Sequence, residues 1–292
     1  MSMKGLEIRT TAARIALLGV FSTAPLCAQF PGAAPPLPRQ GAVIDITGYW
    51  VSQVNEDWRW RMVTPPKGDY ASLPLNPEGK KVADAWDPTE DGAKGDACKA
   101  YGAAGLMRLP TRIHITWADD NTMKLEADAG QQTRLFHFGT PKPPSGEATW
   151  QGDSAAVWQK QAQQSGFGPP YNGAAPGKGG ALKVVTTHMK PGYLRKNGVP
   201  YSASAVLTEY FDRVELEGVS YLILTSVVED RQYLNNVFIT SEQFKLEPDG
   251  SKWSPSPCKA VLLSPLWPVT AGQQIRMFND PSLCGSDGRW QG

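Results

Sequence analysis

Apolar and polar residues alternate along residues 206–246 through three consecutive runs, at 206–214, 221–228 and 237–246. The linkers, Glu217-Gly218 and Glu229-Asp230-Arg231, are short, so the runs predict an antiparallel meander. The same two-residue period recurs upstream. Ile113, Ile115 and Trp117 alternate with His114 and Thr116, a turn follows at residues 119–122, and residues 123–127 and 133–138 return around Ala129-Gly130. Further runs lie at residues 43–51 and 182–188, with one more strand possible over 149–158. A helix is expected from Asn76, because Asn caps a helix well, Pro77 suits the first turn, and Val82, Ala85 and Trp86 share a face. About eight or nine antiparallel strands must curl to remove their edges. The expected fold is therefore all-β, a calycin- or lipocalin-like closed barrel with one short helix; a two-layer β-sandwich satisfies the same pattern. One barrel domain is expected over residues 42–250, with an irregular tail over 251–292.

The ends of the chain read differently. Lys4, Arg9 and Arg14, a short apolar run at 15–21 and Leu26-Cys27-Ala28 predict a secretory signal over residues 1–28 and an exported protein, periplasmic or extracellular. Residues 29–41 are proline-rich and predict a loose or extended leader, and the Gln-, Gly- and Pro-rich stretch 159–180 predicts a long mobile loop. Nothing after the signal is long and apolar enough for a membrane-spanning helix. The formal charge of +1 falls to about −1 once Lys4, Glu7, Arg9 and Arg14 are removed, which leaves no basic footprint for nucleic acid. With 41% hydrophobic and 20% charged residues the chain can bury a substantial core. Cys98, Cys258 and Cys284 follow the signal, and an oxidising compartment favours a disulfide. Cys258 and Cys284 flank the proline-rich tail and are the expected pair, with Cys98–Cys258 as the competitor. No cysteine or histidine spacing suits a metal, and no cofactor is predicted.

Several blocks carry a likeness. They are Cys98-Lys-Ala-Tyr-Gly102, Arg108-Leu-Pro110, Thr133-Arg134, Thr149-Trp-Gln-Gly-Asp-Ser154 with Trp158, the run at 182–187, Gly198-Val-Pro-Tyr-Ser202, residues 207–213, and the turn ending Glu229-Asp-Arg-Gln-Tyr233. In this order the chain resembles a family of exported bacterial β-rich proteins with no assigned activity. The family's last turn often carries Asp-Pro, where this chain has Asp230-Arg231. The resemblance implies secretion and a β-rich fold and brings no reaction or cofactor. Gly48-Tyr49-Trp50 is also similar to the Gly-x-Trp start of lipocalin-type barrels.

Candidate chemistry follows from which residues share a strand face. Leu207, Glu209, Phe211 and Arg213 lie on one side of their strand, predicting an interior wall on which Glu209 pairs with Arg134 or Arg213; a surface ion pair is the alternative. Trp58 and Trp60 alternate with Arg59 and Arg61, which on a strand gives an aromatic wall. The expected function is an exported binding protein for a small, partly apolar ligand in an aromatic-lined cavity. Trp58, Trp60, Trp117 and Tyr210 would form its walls, with Arg134, Glu209 and His188 as polar anchors. A second possibility is acid/base catalysis in the same cavity by His137 or His188 with a carboxylate such as Glu126. A third is an envelope-associated structural or interaction module whose barrel is filled by its own side chains. Asp119-Asp120-Asn121 reads as a turn rather than a calcium loop, and Ser154 lacks a nucleophile's motif.

Overall fold

The period-two runs become strands at the predicted places. The computed structural model describes residues 36–140, 143, 146–160 and 180–259. The signal at 1–28, Cys284 and most of the 159–180 stretch lie outside the described residues. In chain order the strands are β1 (Gly48–Gln53), β2 (Arg112–Trp117), β3 (Thr122–Ala127), β4 (Ala129–Gly130), β5 (Gln132–Phe138), β6 (Asp153–Lys160) and β7 (Gly180–Thr187). They continue as β8 (Gly192–Arg195), β9 (Val199–Tyr201), β10 (Val206–Leu216), β11 (Val219–Glu229), β12 (Phe238–Glu247) and β13 (Ser256–Pro257). Four short helices, α1 (Trp58–Arg61), α2 (Pro77–Asp84), α3 (Pro88–Ala93) and α4 (Ala103–Leu106), and a 3-10 turn over Lys99–Tyr101 fall between β1 and β2.

Nine strands close into a barrel in the order β1-β12-β11-β10-β7-β6-β5-β3-β2, with β1 pairing β2 to complete the ring. An odd ring cannot be antiparallel throughout, and the one parallel join is β5 with β6. Inward positions carry Trp50, Ile113, Ile115, Leu125, Phe136, Leu182, Val184, Phe211, Leu222, Leu224 and Phe244, all fully buried. Outward positions on β2 and β3 carry Arg112, His114, Thr116, Lys124 and Glu126. On these two strands apolar inside and charged outside is the reverse of a lipid-facing wall. Among the described residues no helix is long and apolar enough to cross a membrane.

Each end of the barrel is dressed differently. At one end residues 36–47 cross the mouth as a strap. Pro38 accepts a hydrogen bond from Trp158 Nε1 at 2.8 Å, the Arg39 amide donates to Asp120, and Asp45 accepts from Arg213 Nη1 at 2.7 Å. Residues 36–41 end the leader that the sequence predicts to be loose or extended; proline removes donors, and these contacts hold the segment through its carbonyls and the Arg39 amide. At the other end α1–α4 and the β8–β9 hairpin form a cap over a second apolar cluster that includes Met189, Leu194, Val199, Tyr201 and Leu207. Gly198 turns that hairpin at φ +83, and Trp86 lies so close that a Cβ there would sit 2.2 Å from its ring.

Blocks that were far apart in sequence meet in the cap. The Ala103 amide donates to Trp150, and buried Asp230 accepts from the Ser202 amide and hydroxyl and from the Gln232 amide. Asp230 thereby shapes the β11–β12 turn without a following proline. The predicted helix is α2, and the Asn76 side chain accepts from the Gly79 amide at 2.8 Å and donates to Gln232. Asn76→Ala should lower stability by about 1 kcal/mol, read as a shift in urea midpoint with unchanged slope.

Two expectations are corrected. Residues 58–61 form α1 rather than a strand: Asp57 takes φ 53, and Arg61 anchors the turn by donating to the Arg108 carbonyl, Glu56 and Ser52. Four alternating residues fit either period, and these tertiary bonds decide for the helix. The disulfide is Cys98–Cys258, not Cys258–Cys284. Pairing of β13 with β4 carries the chain after the barrel back to the 3-10 turn.

Candidate functional site

Inside the barrel the polar residues gather towards the cap. Arg134 on β5 makes a bidentate pair with Glu209 on β10, at 2.9 and 2.5 Å, and both side chains are essentially inaccessible to water. Arg134 also donates to Thr186, whose hydroxyl meets that of Ser154 at 2.7 Å. The guanidinium lies 5.0 Å from the Phe136 ring centre. Period-two alternation put Glu209 with Leu207 and Phe211 on the inward face, and the partner is Arg134. Arg213 is instead at the mouth, holding the strap. Ser154 is buried and hydrogen-bonded within this network.

Fully buried Trp50, Phe136, Phe211 and Phe244 occupy the centre, where the aromatic-lined cavity is expected. Its expected walls are dispersed. Trp58 is 62% exposed on α1. Trp60 lies under the cap with Arg59 and Arg195 over its ring at 5.0 and 4.8 Å. Tyr210 faces outward beside Lys183, because it alternates with inward Glu209 and Phe211. Trp117 alone of the four turns inward, at the strap-side mouth, where it packs with Phe138 and Trp158.

The three imidazoles also separate. His137 is on the outer face of β5, 3.4 Å from the Thr122 hydroxyl. His188, at φ 56, meets Asp153 at 2.9 Å beside the start of β6. His114 stacks on Tyr49 at 3.9 Å and lies 3.6 Å from Glu126, which is also held by Lys124. Burial lowers the His114 pKa, with Glu126 opposing. Neither His137 nor His188 meets Glu126; the carboxylate beside His188 is that of exposed Asp153. Among the described residues no group of His, Cys, Asp and Glu could hold a metal, and Asp119 simply accepts from the Asn121 amide in its turn.

Two of the recesses bear on binding. An open cleft of about 510 Å3 at the strap-side mouth is lined by Ile44, Ile46, Trp117 and Met123, with Arg39, Asp45, Thr47 and Thr116 as polar rim. Sequence reasoning named Trp117 here but missed the strap, since a proline-rich leader gives no periodic signal. Beneath the cap lies a cationic recess around Arg61, Arg108 and Arg195. Arg108 bonds Asp57 at 2.9 Å and the fully buried Glu242 at 3.2 Å. Burial pushes the Glu242 carboxyl upward despite Arg108, and its Oε2 has no hydrogen-bond partner among the described residues. The chain was compared with protein families, curated proteins and solved structures, and none matches.

Proposed function

We propose that the protein is an exported binding protein that holds a small, partly apolar ligand at the strap-side mouth of its barrel. The observation that carries this reading is the cleft of about 510 Å3 with Trp117 in its wall. That volume falls within the range of small-molecule sites, and its mix of isoleucine, methionine and indole with a few polar groups suits a ligand with one polar end. The centre of the barrel is lined by fully buried core side chains, which favours the open mouth as the place for the ligand. Export is supported by the signal-like N-terminus and by the Cys98–Cys258 bond, which is at home in an oxidising compartment.

Thermal unfolding against a panel of apolar acids, tetrapyrroles and oligosaccharides tests the reading. A ligand at about 100 times its Kd adds about 2.7 kcal/mol of stability. One class should raise Tm, and Trp117→Leu should weaken that ligand about tenfold, a loss of about 1.4 kcal/mol. A flat panel rejects the carrier. The second reading, an envelope-associated interaction module, would then stand, favoured by the fully buried core side chains at the barrel centre.

A further inference from the structure

At the opposite end from the mouth cleft, the cap encloses a much smaller pocket of about 20 Å3. Its wall includes Trp60, Arg61, Arg108, Arg195 and Lys196. That is room for about one water-sized group. It opens past Trp60 and Lys196, which are both half-buried.

The cations around it are unequally matched. Arg61 meets Glu56, Arg108 meets Asp57 and Glu242, and Arg59 at the rim meets Asp69. Arg195 and Lys196 have no carboxylate partner among the described residues. Arg195 is only 5% exposed, and its terminal nitrogens donate to the carbonyls of Asp69 at 3.4 Å and Ala71 at 3.1 Å. Asn197, next in the same hairpin, donates to the carbonyls of Pro66 and Asp69. The guanidinium is therefore fixed by two carbonyls and the Trp60 face, yet its Nε has no partner. A buried cation with an unspent donor is costly unless something negative meets it. Burial, with Arg108 adding repulsion, draws the Arg195 pKa down to about 10, and burial also lowers Lys196. Both shifts register cations held out of water, and at Arg195 the more distant charges of Asp57 and Asp69 only partly oppose the effect.

We infer that this pocket is an anion site that takes the carboxylate of a small organic acid, one oxygen entering between Arg195 and Lys196 while the rest of the molecule stays outside. Size and shape select the class. A carboxylate can place one of its two oxygens in a space this small, whereas a phosphate that does so leaves most of its charge on the oxygens outside. The unspent Arg195 Nε can meet that oxygen, and the flexible Lys196 supplies charge without demanding a fixed direction.

Thermal unfolding near neutral pH in acetate, chloride or inorganic phosphate, at equal ionic strength, tests the assignment. Acetate should raise Tm by about 2–4 °C above the other two salts. Lys196→Gln should remove most of that rise, because among the described residues its ammonium bonds no side chain. Arg195→Lys, which keeps the charge but loses the unspent Nε donor, should diminish it as well, and Trp117→Leu at the far end should leave it intact. The assignment is overturned by no acetate-specific rise, by an equal rise in chloride or phosphate, or by an undiminished rise in both pocket variants.

Discussion

Glu209→Leu should lower the free energy of unfolding by about 3–5 kcal/mol, the largest effect expected of any single substitution in the barrel interior. The side chain is fully buried, and its carboxylate takes both terminal nitrogens of Arg134. Removing it strands a guanidinium among Phe136, Thr186 and neighbouring apolar residues, with Nε already lacking a partner. The double replacement Glu209→Leu with Arg134→Met should recover most of the loss, since two apolar chains of similar volume leave no charge behind. Urea unfolding of the four proteins of this cycle measures the coupling. If Glu209→Leu unfolds within about 1 kcal/mol of the parent, the pair is wetter than its burial implies.

Replacing Cys98 and Cys258 together by alanine should cost about 2–5 kcal/mol. The bond closes a loop with a sequence separation of 160 residues, and loop-closure entropy for so long a loop approaches the upper end of that range. It also fastens the segment after the barrel to the 3-10 turn of the cap, where β13 lies beside β4 and Tyr101 packs on Gly130. Chemical unfolding of oxidised protein against the double variant gives the magnitude. A difference below about 1 kcal/mol would mean that residues 256–259 are held by their other contacts alone.

The sequence made the ring legible because each barrel strand has one wet face and one dry face, and a period of two follows directly. Glu209 shows how far that logic reaches: the alternation that buries Leu207 and Phe211 turns Glu209 inward, and a buried carboxylate calls for an arginine. Whether nine inward faces interlock or leave a chamber is another matter. That depends on how Trp50, Phe136, Phe211 and Phe244 meet across the barrel, which no single strand encodes. The residues 58–61 misled because four positions are too few to separate a period of two from one of 3.6, and the helix is decided by Arg61 reaching Glu56, Ser52 and the Arg108 carbonyl. Arg195 and Lys196 gave no warning either. Their hairpin is short and buried on both faces, so it lacks alternation. The Cys98–Cys258 pairing needed β13 to fold back, and two residues of strand carry no readable pattern.

The position of β1 relative to the covalent loop has a consequence for assembly. The Cys98–Cys258 loop contains every barrel strand except β1, which lies ahead of it in the chain and slots between β2 and β12. The first stave to leave the ribosome thus waits for the last, and oxidation can tether the other eight before it arrives. It acts as a keystone supplied from outside the hoop: Trp50 seals the centre only when this segment docks, so cinching the hoop and completing the vault are separable events.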